Sequence, residues 1–122
     1  MIDTGKATIK IHGDINDNII NINIYFDGEL SETDMNDIYH SIIKNYETPV
    51  NILCTRNKDN YYSLEAANYM MVNAKHVFNK VACIADDLMT IDSFNSSKET
   101  IFKDNSTALF KTMDEGYDWL KS

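Results

Sequence analysis

Arginine is nearly missing from this chain of 122 residues: Arg56 is the only one. Ten scattered lysines supply the rest of the positive charge, against nineteen acidic residues and a net charge of −8. Nucleic-acid backbones and anionic membrane surfaces are bound by clustered Lys and Arg. Neither is therefore an expected partner, and the acidity reads as solubility. Long hydrophobic runs are missing too. No apolar stretch approaches the roughly 20 residues that a transmembrane helix needs, so no integral membrane association is expected. The first ten residues, MIDTGKATIK, lack the basic-then-apolar pattern of a signal peptide, which makes the cytoplasm the expected location. Cysteine is limited to Cys54 and Cys83, each inside an apolar run. Both read as buried free thiols in a reducing compartment. There is no glycine-rich phosphate loop, no G-x-S-x-G and no Cys–His constellation. His12, His40 and His76 lie on separate predicted elements without a partner four residues on, so no metal site or cofactor is expected. These absences together predict a protein that is not an enzyme.

What is present is core-forming. Hydrophobic residues make up 43% of the chain, including seven Tyr, five Phe and one Trp, which argues against disorder and for one domain over residues 1–122. Residues 1–6 read as a loose end. Ala7 to His12 alternates as a first strand, and GDINDN (13–18) is turn chemistry. Ile19 to Phe26 is the clearest strand, with Ile20, Ile22, Ile24 and Phe26 on one face and Asn21, Asn23 and Tyr25 on the other. Ser31 caps a helix whose stripe is Met35, Ile38, Tyr39, Ile42, Ile43 and Tyr46. Pro49 closes it before a strand at Val50 to Thr55. A second helix after Ser63 presents Leu64, Ala67, Met71, Ala74 and Phe78 on one face. VACIA (81–85) reads as a buried parallel strand, 91–102 as a weaker third helix, and 108–110 as a last strand. Thr112 to Glu115 is a capping box that opens a final helix carrying Tyr117, Trp119 and Leu120. The order β-β-α-β-α-β-α-β-α implies an α/β fold with a mostly parallel sheet of four or five strands and an antiparallel N-terminal strand.

That order and three local patterns resemble the STAS/SpoIIAA-like domains. The patterns are DGELSETD (27–34) leading into the first helix, KVACIADD (80–87) as the fourth strand, and ALFKTMDEGYDWLKS (108–122) as a closing strand and helix. The resemblance spans roughly residues 7–122, with CRAL-TRIO lipid-binding domains as relatives of comparison. It implies a regulatory or protein-interaction module of the anti-sigma-factor-antagonist kind. Its alternative is a small carrier of lipid or another small ligand. In the antagonists a Ser at the start of the second helix, in an Asp-Ser motif, accepts phosphate from a partner kinase. Here the stretch reads NKDNYYSLE (57–65), without the Asp-Ser pair or a glycine, and Ser63 takes the corresponding place approximately.

Ser63 is thus a candidate phosphoacceptor whose simpler role is a helix cap. Arg56, Lys58, Tyr61 and Tyr62, at the end of the third strand, are candidates for contacting a partner or an anion, the two Tyr as exposed aromatics. Asp86 and Asp87 follow the fourth strand and read as a turn or a cap rather than a cation site. Met70 and Met71 read as core filler, and His40 and His76 as exposed. Tyr61, Tyr62, Tyr69, Phe94 and Phe102 cluster in or beside the second and third helices, on the side expected to meet a protein partner. A homodimer is a further expected form.

Overall fold

The computed structural model describes residues 1–56, 59–85 and 87–122, with the backbone alone at 88–90. Six strands form one sheet: β1 (Ile2–Asp3), β2 (Ala7–Ile11), β3 (Ile19–Ile24), β5 (Val50–Arg56), β7 (Phe78–Ile84) and β8 (Ser106–Phe110), side by side in that order. β1, β2 and β3 pair antiparallel, and β3, β5, β7 and β8 run parallel. Two short strands, β4 (Gly28–Leu30) and β6 (Asn60–Tyr62), pair with each other beyond the ends of β3 and β5. The helices are α1 (Glu32–Asn45), α2 (Leu64–Val77), α3 (Leu88–Glu99) and α4 (Met113–Lys121).

β3 shows why the sheet has two cores. Its sequence IININI alternates, and Ile20, Ile22 and Ile24 join Ile52, Val81, Met35, Ile38 and Ile42 beneath α1 and α2. The opposite face is not left to water, because the crossovers of a parallel sheet cover both sides. Ile19, Leu53, Ala82 and Leu120 form a second cluster under α4. Asn21 is buried on that side, and its amide donates to the Leu53 carbonyl and to Thr55 Oγ1, each at 3.1 Å.

Several expectations are corrected. Ile2–Asp3 is a strand, not a loose end, held by Tyr25 O–H donating to Asp3 at 2.6 Å. Ile43 faces outward from α1. The buried stripe of α2 is Ala66, Met70, Ala74 and Val77, while Leu64 and Met71 are exposed. α2 carries apolar residues all round, so periodicity alone could not select its inner face. The small side chains at 66 and 74 let its backbone approach its neighbours. Phe78 is not helical but begins β7, and its ring meets Tyr39 at 5.0 Å and Phe102 at 6.5 Å.

β7 contains one irregularity. Val50 faces Phe78, but Ile52 faces Val81, so the register gains one residue between them. The Asn51 side chain accepts the Lys80 N–H there at 3.0 Å. Such a bulge reverses the faces of all later side chains in the strand.

α4 lies close to the sheet because Gly116 has no side chain: a Cβ there would come within 2.8 Å of Leu53 Cδ2 and 2.9 Å of Ile84 Cδ1. Gly116→Ala should therefore destabilise the protein. Overpacking costs about 1–3 kcal/mol, against less than about 1 kcal/mol gained in helix propensity. Urea titration checks this, and an unchanged or raised midpoint would show that α4 can lift away freely.

Candidate functional site

Two features meet at the carboxyl ends of the parallel strands, the edge where open α/β sheets place ligands. The first is a cavity of about 80 Å³ beneath α3. Cys54 and Cys83 form part of its lining, Phe94 and Phe102 close it, and Arg56 and Tyr62 stand at its polar end. Tyr62 is half-buried, which corrects its reading as an exposed aromatic. Burial chiefly pushes its hydroxyl well above the usual phenol range, the two nearby thiols add to this, and Arg56 opposes it. The Cys54 thiol is also pushed well up, first by its hydrogen bond with Cys83 and then by burial. Tyr39 lies deeper. Its buried hydroxyl has no hydrogen-bond partner among the described residues and is driven upward by burial, with Tyr62 and Cys54 nearby.

Arg56 knits the site together. Its Nη1 donates to the Asn60 carbonyl at 3.1 Å and to Asn60 Oδ1 at 3.0 Å, which ties the end of β5 to the start of β6. Gly28 N–H donates to the Asp59 carbonyl at 2.9 Å, and Ser63 N–H to the Leu30 carbonyl at 3.0 Å. Ser63 is the N-cap of α2: its hydroxyl oxygen accepts the Ala66 N–H at 3.0 Å. Lys58 and Asp86 lie outside the described residues. Asp87 stands directly before α3, and its carbonyl accepts the Ile91 N–H at 3.0 Å. His40 and His76 are exposed, as expected.

The second feature is the outer face of α2. Leu64 is 74% exposed, Val72 65% and Met71 38%, and Tyr61 of the adjoining β6 is 60% exposed. Leu64, Met71 and Val72 share the outer side of the helix by its 3.6-residue repeat. Glu29, the register partner of Tyr61, and Glu65, next to Leu64 in the chain, are exposed beside them. The structure thus brings Tyr61 to this face and sends Tyr62 and Arg56 to the cavity.

Sequence reasoning missed two things. It placed Leu64 and Met71 in the core, and it left Cys54 and Cys83 unrelated although they are register partners on β5 and β7. Extending the Val50–Phe78 pairing without the bulge would have set Cys54 opposite Ala82.

No protein-family model matches this chain, and no curated protein matches it. Among solved structures, an uncharacterised protein of the DUF3478 family from Shewanella loihica PV-4, with a SpoIIAA-like fold, is similar: 19% identity over 93% of each chain, with a TM-score of 0.58. That likeness shows the fold, and this chain has the SpoIIAA-like α/β fold that its element order resembles. Among the described residues, no helix is long and apolar enough to cross a membrane.

The buried weak acids set an alkaline limit. Folding holds the protons of Cys54, Tyr62 and Tyr39 more tightly than the unfolded chain does. Their stabilising contribution is therefore complete below the ordinary thiol value of 9.0 and is lost as the pH rises past it and past the phenol value of 10.0. The urea midpoint should hold steady from about pH 7 to 8 and fall above about pH 9. Tyr39→Phe, which removes an unpartnered buried hydroxyl, should match or exceed the wild type at neutral pH and lose less in alkali. A steep loss in this variant at neutral pH would show that the hydroxyl is satisfied.

Proposed function

We propose that the protein is a non-enzymatic regulatory module that works by protein–protein contact through the outer face of α2 and β6. The observation that supports this is the exposed apolar group of Leu64, Met71 and Val72 on a helix whose inner face is already filled, with Tyr61 of β6 exposed before it. Exposed apolar side chains grouped on one side and rimmed by polar residues mark interaction sites. The group's neighbours Glu29 and Glu65, on a chain of net charge −8, call for a partner with an apolar ridge flanked by Lys or Arg. Ser63 belongs to the proposal as a phosphoacceptor. A phosphate there would add about −1.5 to −2 charges beside the apolar face and displace the cap bond, which would disrupt the contact.

A second reading, small-ligand binding, is favoured by the cavity under α3, with Arg56 and Tyr62 as its polar end. Ordinary ligand pockets enclose about 300–1,000 Å³. A volume near 80 Å³ suits a compact molecule and not a lipid chain.

The test is paired substitution of Leu64→Asp and Val72→Asp, with the partner recovered by crosslinking in its native cells and its affinity then measured. Both positions are solvent-exposed, so stability should stay within about 0.5 kcal/mol. Partner affinity should fall by about tenfold or more, as for truncated interface anchors. Undiminished binding would remove α2 as the surface. If self-association is lost instead, the partner is a second copy of the chain.

A further inference from the structure

The chain has two cysteines, 29 residues apart in sequence, and the fold sets them directly opposite each other on β5 and β7. As register partners on adjacent strands, they project from the same face of the sheet. Cys54 and Cys83 both line the same cavity under α3, and the Cys54 thiol is pushed well up by its neighbour Cys83 and by burial. Both are free and partly accessible. Nothing in the α2 contact uses this pair, so the inference stands apart from that reading.

The geometry limits what the pair can do. Paired strands lie roughly 4.7–4.9 Å apart, toward the short end of the roughly 4.4–6.8 Å Cα range that a disulfide spans. A one-atom bridge between the sulfurs has a longer reach than an S–S bond. Zinc takes four ligands in structural sites, and among the described residues no group of three or more His, Cys, Asp or Glu could hold a metal ion. A centre that needs only two thiolates and one small further group asks for no third protein ligand. Burial also favours an uncharged product. The cavity leaves room for a few heavy atoms beside the sulfurs, with Ser93 and Ser97 of α3 on its wall.

We propose that Cys54 and Cys83 form a dithiol site for a compact thiophilic centre, of which trivalent arsenic is the type case. With methylarsonous acid the step is CH3As(OH)2 + 2 RSH → CH3As(SR)2 + 2 H2O. Two As–O bonds break and two As–S bonds form. Each thiol proton leaves on a hydroxide as water, and arsenic stays trivalent.

The experiment treats the purified chain with methylarsonous acid in excess glutathione and reads intact mass and iodoacetamide labelling. The expected product is a one-to-one adduct in which both cysteines resist alkylation. Cys54→Ser and Cys83→Ser should each weaken binding by about a hundredfold or more, since a second tethered contact multiplies affinity by about that much. Equal binding by a single-Ser variant, or an adduct with one thiol still alkylated, would overturn the proposal. A wild-type melting curve keeps the test independent of those variants. A ligand held by the native pair raises the midpoint by a few degrees. Capture by the unfolded chain lowers it, and that result would also overturn the site.

Discussion

The parallel seating of β5 between β3 and β7 is the constraint on which the molecule turns. Ile20 and Ile22 on one side and Val81 and Cys83 on the other enclose Ile52 and Cys54 in register. The middle of that ladder, at Ile52, Leu53, Val81 and Ala82, is buried, so losing it would leave polar backbone there without water to replace it. Both cores rest on it: Ile52 belongs to the cluster under α1 and α2, and Leu53 to the cluster under α4. The same strand delivers Cys54, Thr55 and Arg56 to the cavity. A rigid central strand is thus the platform for the one edge of the sheet where chemistry gathers.

That edge is closed locally by short-range polar bonds rather than by apolar bulk. Arg56 to Asn60, Gly28 to Asp59 and Ser63 to Leu30 tie β4 and β6 together. Arginine is apt for this, because a single Nη1 of its rigid planar group reaches two acceptors on one residue with little loss of freedom. A residue that reads as a partner contact from its position in the sequence therefore also has a structural role. The apolar surface offered to the outside lies one turn further on, along α2.

Much of this was legible in the sequence. β3 announced itself by alternation, α1 by its cap and stripe, and α4 by Thr112, whose hydroxyl oxygen accepts the Glu115 N–H. Each signal is local: a periodicity or a cap needs only a few neighbouring residues to be read. What stayed hidden depended on distant partners. The inner face of α2 was ambiguous because Leu64, Ala66, Met70, Met71 and Val72 offer apolar surface all round, and only packing against α1 and the sheet selects among them. The strand at Ile2–Asp3 exists because β2 has a free edge to pair with. The meeting of the two cysteines depends on a register that no local pattern encodes.

The bulge in β7 carries a consequence of its own. Phe78 and Val81 both face the larger core although they stand three positions apart, so the strand changes phase between its two halves. Loss of one residue at this point would barely alter the length of the chain. It would nevertheless exchange interiors: Val81 and Cys83 would turn toward α4, and Ala82 and Ile84 would turn beneath α3. The strand therefore has a reading frame, set where Asn51 grips Lys80, and single-residue insertions or deletions there are far less tolerable than substitutions at the same positions.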